Sequence, residues 1–145
     1  MIQEFLNHLQ LQRIEKFHPR DTFKSAMTIT ETMMDLFAQA SGDRSRLHVD
    51  AEFAKGHGFA GRVAYGNILG MLVSTLVGMN LESPNVMIIS QSIDFKQPVY
   101  IGDTVELTAE VSGTSEAVGV VEFDLDFRNQ RREKVAKGKL QIKCL

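Results

Sequence analysis

A hydrophobic run from Ile68 to Met79 restricts this 145-residue chain more than any other feature. The run is interrupted only by small or weakly polar residues: Gly70, Ser74, Thr75 and Gly78. It is shorter than the ~20 residues that a membrane-spanning helix needs, so it predicts a helix buried inside a protein. A helix with almost no polar face must be covered on nearly all sides. A curved sheet wrapped around the helix would provide that cover.

Strand-like segments follow the run, after a break at Ser83-Pro84-Asn85. In Val121 to Arg128, apolar and charged residues alternate, which is typical of a sheet with one wet face. We predict four strands here: Val86 to Phe95, Thr104 to Ser112, Val118 to Phe127 and about Lys134 to Lys143. The order of helices first and strands afterwards predicts an α+β fold rather than repeated βαβ units.

The region before the run predicts a short strand over residues 22 to 28 and a helix over about Glu31 to Ala40. Thr30 is a suitable N-cap, and Gly42 would end the helix. From Asp43 to Tyr65 the sequence is loop-like. With 43% hydrophobic residues, the chain can build one core. We therefore expect a single domain over residues 21 to 145, preceded by an N-terminal arm or helix over residues 1 to 20.

Charge and cysteine content exclude several classes of protein. The 16 basic and 18 acidic side chains leave a net charge of −2, so no basic field exists to hold nucleic acid or an anionic membrane. We expect neither partner. Cys144 is the only cysteine, which rules out an intrachain disulfide and fits a reducing compartment. The N-terminus lacks the apolar stretch of a signal peptide, so we expect a cytoplasmic protein.

Asp43 and His48 lie five residues apart, directly after the predicted helix. A carboxylate and an imidazole that converge on one water or substrate proton can act together as a general acid and a general base. Alone, this spacing more often describes an aspartate that caps a turn and a histidine that is hydrogen-bonded in a loop.

The wider segment SGDRSRLHVD, followed by a glycine-containing stretch and Tyr65-Gly66, resembles the MaoC-like, R-specific enoyl-CoA hydratase family. Its motif is usually SGD-x-x-P-L-H-x-D, with H-G further on. Downstream, SQSIDFKQPVYIGDTVEL resembles the strand-turn-strand of the same family, and the likeness covers about residues 22 to 145. The resemblance implies a hot-dog fold, in which an antiparallel sheet wraps around a central buried helix, and a homodimer.

The resemblance also implies an activity, the reversible hydration of a trans-2-enoyl thioester to a (3R)-3-hydroxyacyl thioester. The substrate would be carried by coenzyme A or by an acyl-carrier protein, without a metal or an organic cofactor. Asp43 and His48 match the catalytic pair, and Gly66 matches the glycine whose N–H binds the thioester carbonyl. Ser74 matches a serine that would orient Asp43.

Three residues depart from the family pattern near this site. Arg46 stands where proline is usual, Tyr65 replaces the histidine before the glycine, and Asn67 replaces an apolar residue. Tyr65 and Asn67 make the carbonyl end of the site more polar and are candidate supporting residues. The departures indicate an unusual acyl substrate, or a module that binds acyl thioesters without turnover. A hot-dog thioesterase is a further alternative, because a fold does not determine a function.

Other patterns have plainer explanations. Gly56 to Gly61 satisfies G-x-G-x-x-G, but it lacks the βαβ context of a dinucleotide site. A metal site at His48-x-Asp50 would need a second, usually distant histidine, and the only other histidines are His8, His18 and His57, so we expect no metal. The basic residues between Arg128 and Lys143 can pair with acidic residues on the preceding strand. Arg44, Arg46 and Arg62, nearer the motif, are the better candidates for contacts with the substrate's phosphates.

Overall fold

The computed structural model describes residues 1–5, 16–81, 83 and 85–145. The strands are β1 (Thr22–Thr28), β2 (Val86–Phe95), β3 (Thr104–Ser115), β4 (Val120–Arg128) and β5 (Lys134–Cys144). The helices that we number are α1 (Glu31–Ser41), α2 (Arg46–Val49), α3 (Ala51–Gly56) and α4 (Asn67–Thr75), and a π-helical turn over Leu76–Asn80 continues α4.

The five strands form one antiparallel sheet in the order β1-β3-β4-β5-β2. Alternate residues of β4 are buried, namely Val121, Phe123, Leu125 and Phe127. Their charged neighbours lie on the outer face, where Lys139 Nζ is 2.6 Å from Asp124 Oδ1 and Lys134 Nζ is 2.7 Å from Asp126 Oδ1. The predicted strands and the α+β class are confirmed, and so is the pairing across the hairpin for Lys134 and Lys139 of the basic group.

Helix α4 and its π-helical turn pack against the inner face of the sheet. Their buried residues, Ile68, Leu69, Leu72, Val73, Leu76 and Val77, belong to the same hydrophobic core as the inward residues of the strands. Asn67, Met71, Ser74 and Met79 are exposed. Because these four residues recur at intervals of three to five, they form one stripe. The expectation of a helix covered on nearly all sides is therefore wrong for this stripe in the single chain.

Helix α1 begins and ends as the sequence predicts. The Met33 N–H donates to Thr30 Oγ1 at 3.1 Å, and the Gly42 N–H donates to the Ala38 carbonyl from a left-handed conformation with φ of 77°. The segment from Asp43 to Tyr65 is less loop-like than expected, because it contains α2 and α3. Asp50 caps α3 by accepting the Phe53 N–H at 3.0 Å.

Half of the predicted N-terminal arm, residues 6 to 15, lies outside the described residues. Phe17 is buried, with its ring 5.9 Å from Phe23 and 6.0 Å from Phe123, both edge to face. The division at residues 20 and 21 stays a prediction. Among the described residues, no helix has the length and apolar character needed to cross a membrane.

Candidate active site

A cavity of about 390 Å³ opens beside the N-terminus of α4. Three of the predicted site residues line it together, namely His48, Tyr65 and Gly66. Its apolar walls come from Ile29, Phe59, Ile68, Leu69, Phe95 and Val99. The volume lies within the range of small-molecule sites, and a mainly apolar wall with a few polar groups is typical of them.

His48 lies on the short helix α2, and its ring is partly buried. Its Nδ1 is 2.7 Å from the Val63 carbonyl oxygen. A carbonyl oxygen can only accept, so Nδ1 carries the proton of this bond. Within the described part of the chain, Nε2 has no hydrogen-bond partner. In the tautomer that this bond favours, Nε2 is the nitrogen that can accept a proton.

Asp43 lies in the turn that follows the left-handed Gly42. Its Oδ1 accepts the Ser45 N–H at 2.9 Å, and its own N–H donates to Ser41 Oγ at 3.0 Å. The residue is exposed, and it is not among the residues that line the cavity. The two catalytic candidates are thus not in direct contact. They are linked through Tyr65.

Tyr65 is 3% exposed and contacts both candidates. Its hydroxyl donates to the Asp43 carbonyl oxygen at 2.6 Å, and its ring centroid is 4.2 Å from that of His48. The ring also stacks on Phe37 at 4.5 Å. Burial raises the pKa of Tyr65, and the negative charge of Asp43 raises it further. The hydroxyl therefore remains a donor at neutral pH.

Gly66 is the N-cap of α4. Its N–H makes no hydrogen bond within the described residues. A free N–H at the positive end of a helix dipole stabilises a negatively charged oxygen. A Cβ at this position would lie 2.6 Å from Phe95 Cζ, so only glycine fits unless the Phe95 ring moves.

Two further predicted residues lie on the exposed stripe of α4. Asn67 follows Gly66 directly, and Ser74 lies about two turns later. Neither lines the cavity with His48. The predicted role of Ser74 as an orienter of Asp43 therefore stays a prediction, as does the supporting role of Asn67.

Two of the three predicted phosphate-binding arginines already have partners. Arg46 pairs with Asp50 at 2.8 Å, and its guanidinium lies 4.4 Å above the Phe53 ring. The Phe53 N–H bond, followed by the bond from Arg46, lowers the pKa of Asp50. Where the family has proline, this arginine therefore ties α2 to α3.

Arg62 is the second of these arginines. It donates from Nε to the His48 carbonyl at 2.7 Å and pairs with Glu31 at 3.4 Å and Asp35 at 3.5 Å. Arg44 is exposed and makes no ion pair within the described residues. Of the three, Arg44 is the arginine whose charge remains available to a phosphate.

Sequence reasoning assigned no role in the site to several of the lining residues. Phe95 is the last residue of β2, and Lys96, Gln97 and Pro98 follow it. The Phe-Lys-x-Pro pattern supported the family resemblance, but its place beside Gly66 depends on tertiary structure. No group of side chains suited to a metal ion occurs among the described residues.

Known proteins resemble this chain in both sequence and structure. An (R)-specific enoyl-CoA hydratase of Rhodospirillum rubrum is 39% identical over 88 residues, which are 61% of each chain. The chain thus spans about three fifths of the length of that relative.

Two solved structures have the same fold. The R-hydratase PhaJ1 from Pseudomonas aeruginosa matches with a TM-score of 0.81 and 28% identity, over 88% of this chain and 82% of that one. An (R)-hydratase from A. caviae matches with a TM-score of 0.83 and 25% identity, over 89% and 98%. The expected hot-dog fold is confirmed. The model of the MaoC like domain matches residues 17–126, and the chain therefore belongs to the MaoC-like domain family.

Proposed function

We propose that this protein catalyses the reversible hydration of a trans-2-enoyl thioester to a (3R)-3-hydroxyacyl thioester. The observation that carries the proposal is the juxtaposition of His48 and Gly66 in one apolar cavity. His48 offers an unprotonated Nε2, and Gly66 offers an unpaired N–H. A proton acceptor and an oxyanion donor beside an apolar wall are what water addition to a conjugated thioester requires. The names of the relatives support the same reaction.

In the proposed mechanism, the acyl chain occupies the cavity and the thioester carbonyl accepts the Gly66 N–H. His48 Nε2 takes a proton from water while the water oxygen bonds to C3. The C2=C3 electrons move toward the carbonyl, whose developing negative charge lies at the helix N-terminus. The proton on Nε2 then passes to C2, directly or through Asp43, so the net change is the addition of one water.

We assign His48 as the base and Asp43 as the residue that orients the water. The Val63 carbonyl supports this assignment because it holds the His48 proton on Nδ1. The steps use only acid–base groups and one backbone dipole. We therefore propose no metal and no organic cofactor other than the coenzyme A or carrier that bears the substrate.

We also propose that the protein works as a homodimer. Strand β2 pairs only with β5 among the described strands, so its other edge is unpaired. Large apolar residues are exposed on β2 and on the stripe of α4, namely Met71, Met79, Met87, Ile89 and Phe95. Exposed apolar patches and unpaired edges favour association, and a second copy presents the same surface.

The activity is tested with crotonyl-CoA and longer trans-2-enoyl thioesters, by following the loss of conjugated absorbance. We expect the wild type to hydrate at least one of them. His48→Gln should lower kcat by about 10²- to 10⁴-fold, the usual contribution of a general base, and Asp43→Asn by at least about tenfold. His18→Gln, which changes an exposed histidine outside the cavity, serves as the control.

The same assay separates the alternatives. Release of free thiol by the wild type would identify a thioesterase. Saturable binding of enoyl thioesters with neither hydration nor thiol release would identify a binding module. Either result contradicts the proposed hydratase.

A further inference from the structure

We propose that Tyr65 is a positioning residue that holds Asp43 and His48 in their working arrangement. This inference rests on the proposed hydratase function and adds a residue to its machinery. The role of Tyr65 is to act through the two residues that it contacts.

The first contact fixes the turn that carries Asp43. Within that turn the bonds of Asp43 are local, and they join it to Ser41 and Ser45. The Tyr65 hydroxyl reaches it from 22 residues away and donates to the Asp43 carbonyl at 2.6 Å. Because the bond goes to the main chain, the carboxylate remains available to a water.

The second contact fixes the face of the imidazole. The Tyr65 and His48 ring centroids are 4.2 Å apart with an interplanar angle of 31°. The Nδ1 bond to Val63 anchors one edge of the imidazole, and the tyrosine ring restricts its tilt. Two constraints of different kind leave the histidine little rotational freedom, and this favours catalysis by a preset geometry.

The position of Tyr65 makes it a rigid support. It is 3% exposed, it stacks on Phe37 of α1, and it immediately precedes Gly66 at the start of α4. One side chain therefore connects both catalytic candidates to the residue that offers the oxyanion N–H.

The test compares Tyr65→Phe with Tyr100→Phe in the full chain. Tyr65→Phe keeps the aromatic ring and removes the bond to Asp43. Tyr100 is the only other tyrosine, and its hydroxyl accepts the Ala60 N–H at 3.3 Å, so its variant loses one hydroxyl bond elsewhere. Steady-state kinetics, thermal unfolding and amide hydrogen exchange of residues 42 to 45 are measured for each.

We expect Tyr65→Phe to lower kcat by about tenfold with KM changed less than about twofold, because a catalytic group is misplaced rather than removed. Exchange of residues 42 to 45 should accelerate in Tyr65→Phe and stay unchanged in Tyr100→Phe. If Tyr65→Phe does not fold, Tyr65→His, whose shorter ring does not reach the Asp43 carbonyl, should give the same acceleration.

Wild-type kcat or unchanged exchange in Tyr65→Phe would overturn the positioning role. A wild type without hydratase activity would instead contradict the proposed function. In that case the exchange measurement still decides whether Tyr65 holds the turn.

Discussion

His48 is held at two points that are distant from it in the sequence. Its Nδ1 bonds to the Val63 carbonyl, and its own carbonyl accepts Arg62 Nε at 2.7 Å. Arg62 is 16% exposed and also pairs with two carboxylates of α1. The Arg62 guanidinium is therefore already bound by protein groups around His48. Arg44 is the better candidate for a contact with a substrate phosphate.

Gly66 lies so close to the Phe95 ring that a side chain at this position would collide with it. In Gly66→Ala, the new methyl group would lie 2.6 Å from Phe95 Cζ, so the Phe95 ring must move. Because that ring lines the same cavity, we expect kcat/KM for enoyl thioesters to fall at least about tenfold, as misplacement near the reacting atoms does.

The matched control for Gly66→Ala is Gly61→Ala, since a Cβ at Gly61 meets nothing within 4 Å. The double variant Gly66→Ala with Phe95→Leu removes the collision and should recover part of the loss. Full activity of Gly66→Ala alone would contradict this prediction, because it would show that the Phe95 ring can move aside without affecting the reaction.

The junction between β5 and β2 depends on an unusually close approach of two backbones. A Cβ at Gly138 would collide with the Ser92 carbonyl oxygen and would contact Ile93 Cα at 3.3 Å. Gly138 pairs with Ile93 in the register of the two strands. Backbone atoms cannot rotate away as side chains can, so β2 must shift as a unit if this space is filled.

Gly138→Ala should therefore destabilise the protein by about 1–3 kcal/mol, the range typical of overpacking. Urea unfolding followed by far-UV circular dichroism measures the change. Gly56→Ala is the control, because nothing lies within 4 Å of a Cβ there. Equal unfolding midpoints for the two variants would contradict the predicted clash.

The whole molecule carries several carboxylates whose pKa values are lowered by partners. Lys24 lowers the pKa of Glu106, and Asn129 followed by Arg131 lowers that of Glu133. Partial burial raises the pKa of Asp126, but hydrogen bonds from Lys134 and Arg128 outweigh it, and the net shift is downward. These groups bind fewer protons in the folded chain than in the unfolded chain at acidic pH.

A carboxylate with a lowered folded pKa contributes stability above its unfolded pKa, and this stability is lost as the pH falls through the folded value. The ordinary values are 3.8 for Asp and 4.5 for Glu. We expect the urea midpoint to change little between pH 7 and 5.5 and to fall steadily below about pH 4.5. Glu106→Gln should flatten this decline, and a midpoint that rises on acidification would refute the assignment.

Association is the second property of the whole molecule that can be measured directly. Ile89 is 45% exposed on β2, within the surface that we propose for the dimer. Ile89→Lys should convert a dimer into a monomer at micromolar concentration in sedimentation velocity, because a buried unpaired charge disfavours an interface. Val118→Lys, at another exposed apolar residue, should remain dimeric. A monomeric wild type at tens of micromolar would contradict the proposed dimer.

Local patterns predicted most of the elements of this fold. The Thr30 cap, the left-handed stop at Gly42 and the alternation along β4 depend on neighbours in the chain, so their signals are complete in the sequence. Helices α2 and α3 were missed because they are short and because the Asp50 cap lies among glycines and charges that are typical of a loop. The exposed stripe on α4 was missed because hydrophobicity alone does not distinguish residues that are buried within one chain from residues that a second chain would cover.

The sequence by itself determined that Ile68 to Met79 is helical and mainly buried, that a sheet follows it, and that Asp43, His48 and Gly66 are the residues to examine. Only the tertiary structure decided how they meet. The Tyr65 side chain contacts both His48 and Asp43, which lies 22 residues before it. The Val63 carbonyl sets the tautomer of His48, and the Phe95 ring packs against Gly66. Periodicity and caps are properties of adjacent residues, whereas these contacts join residues that only the packing of α4 against the sheet brings together.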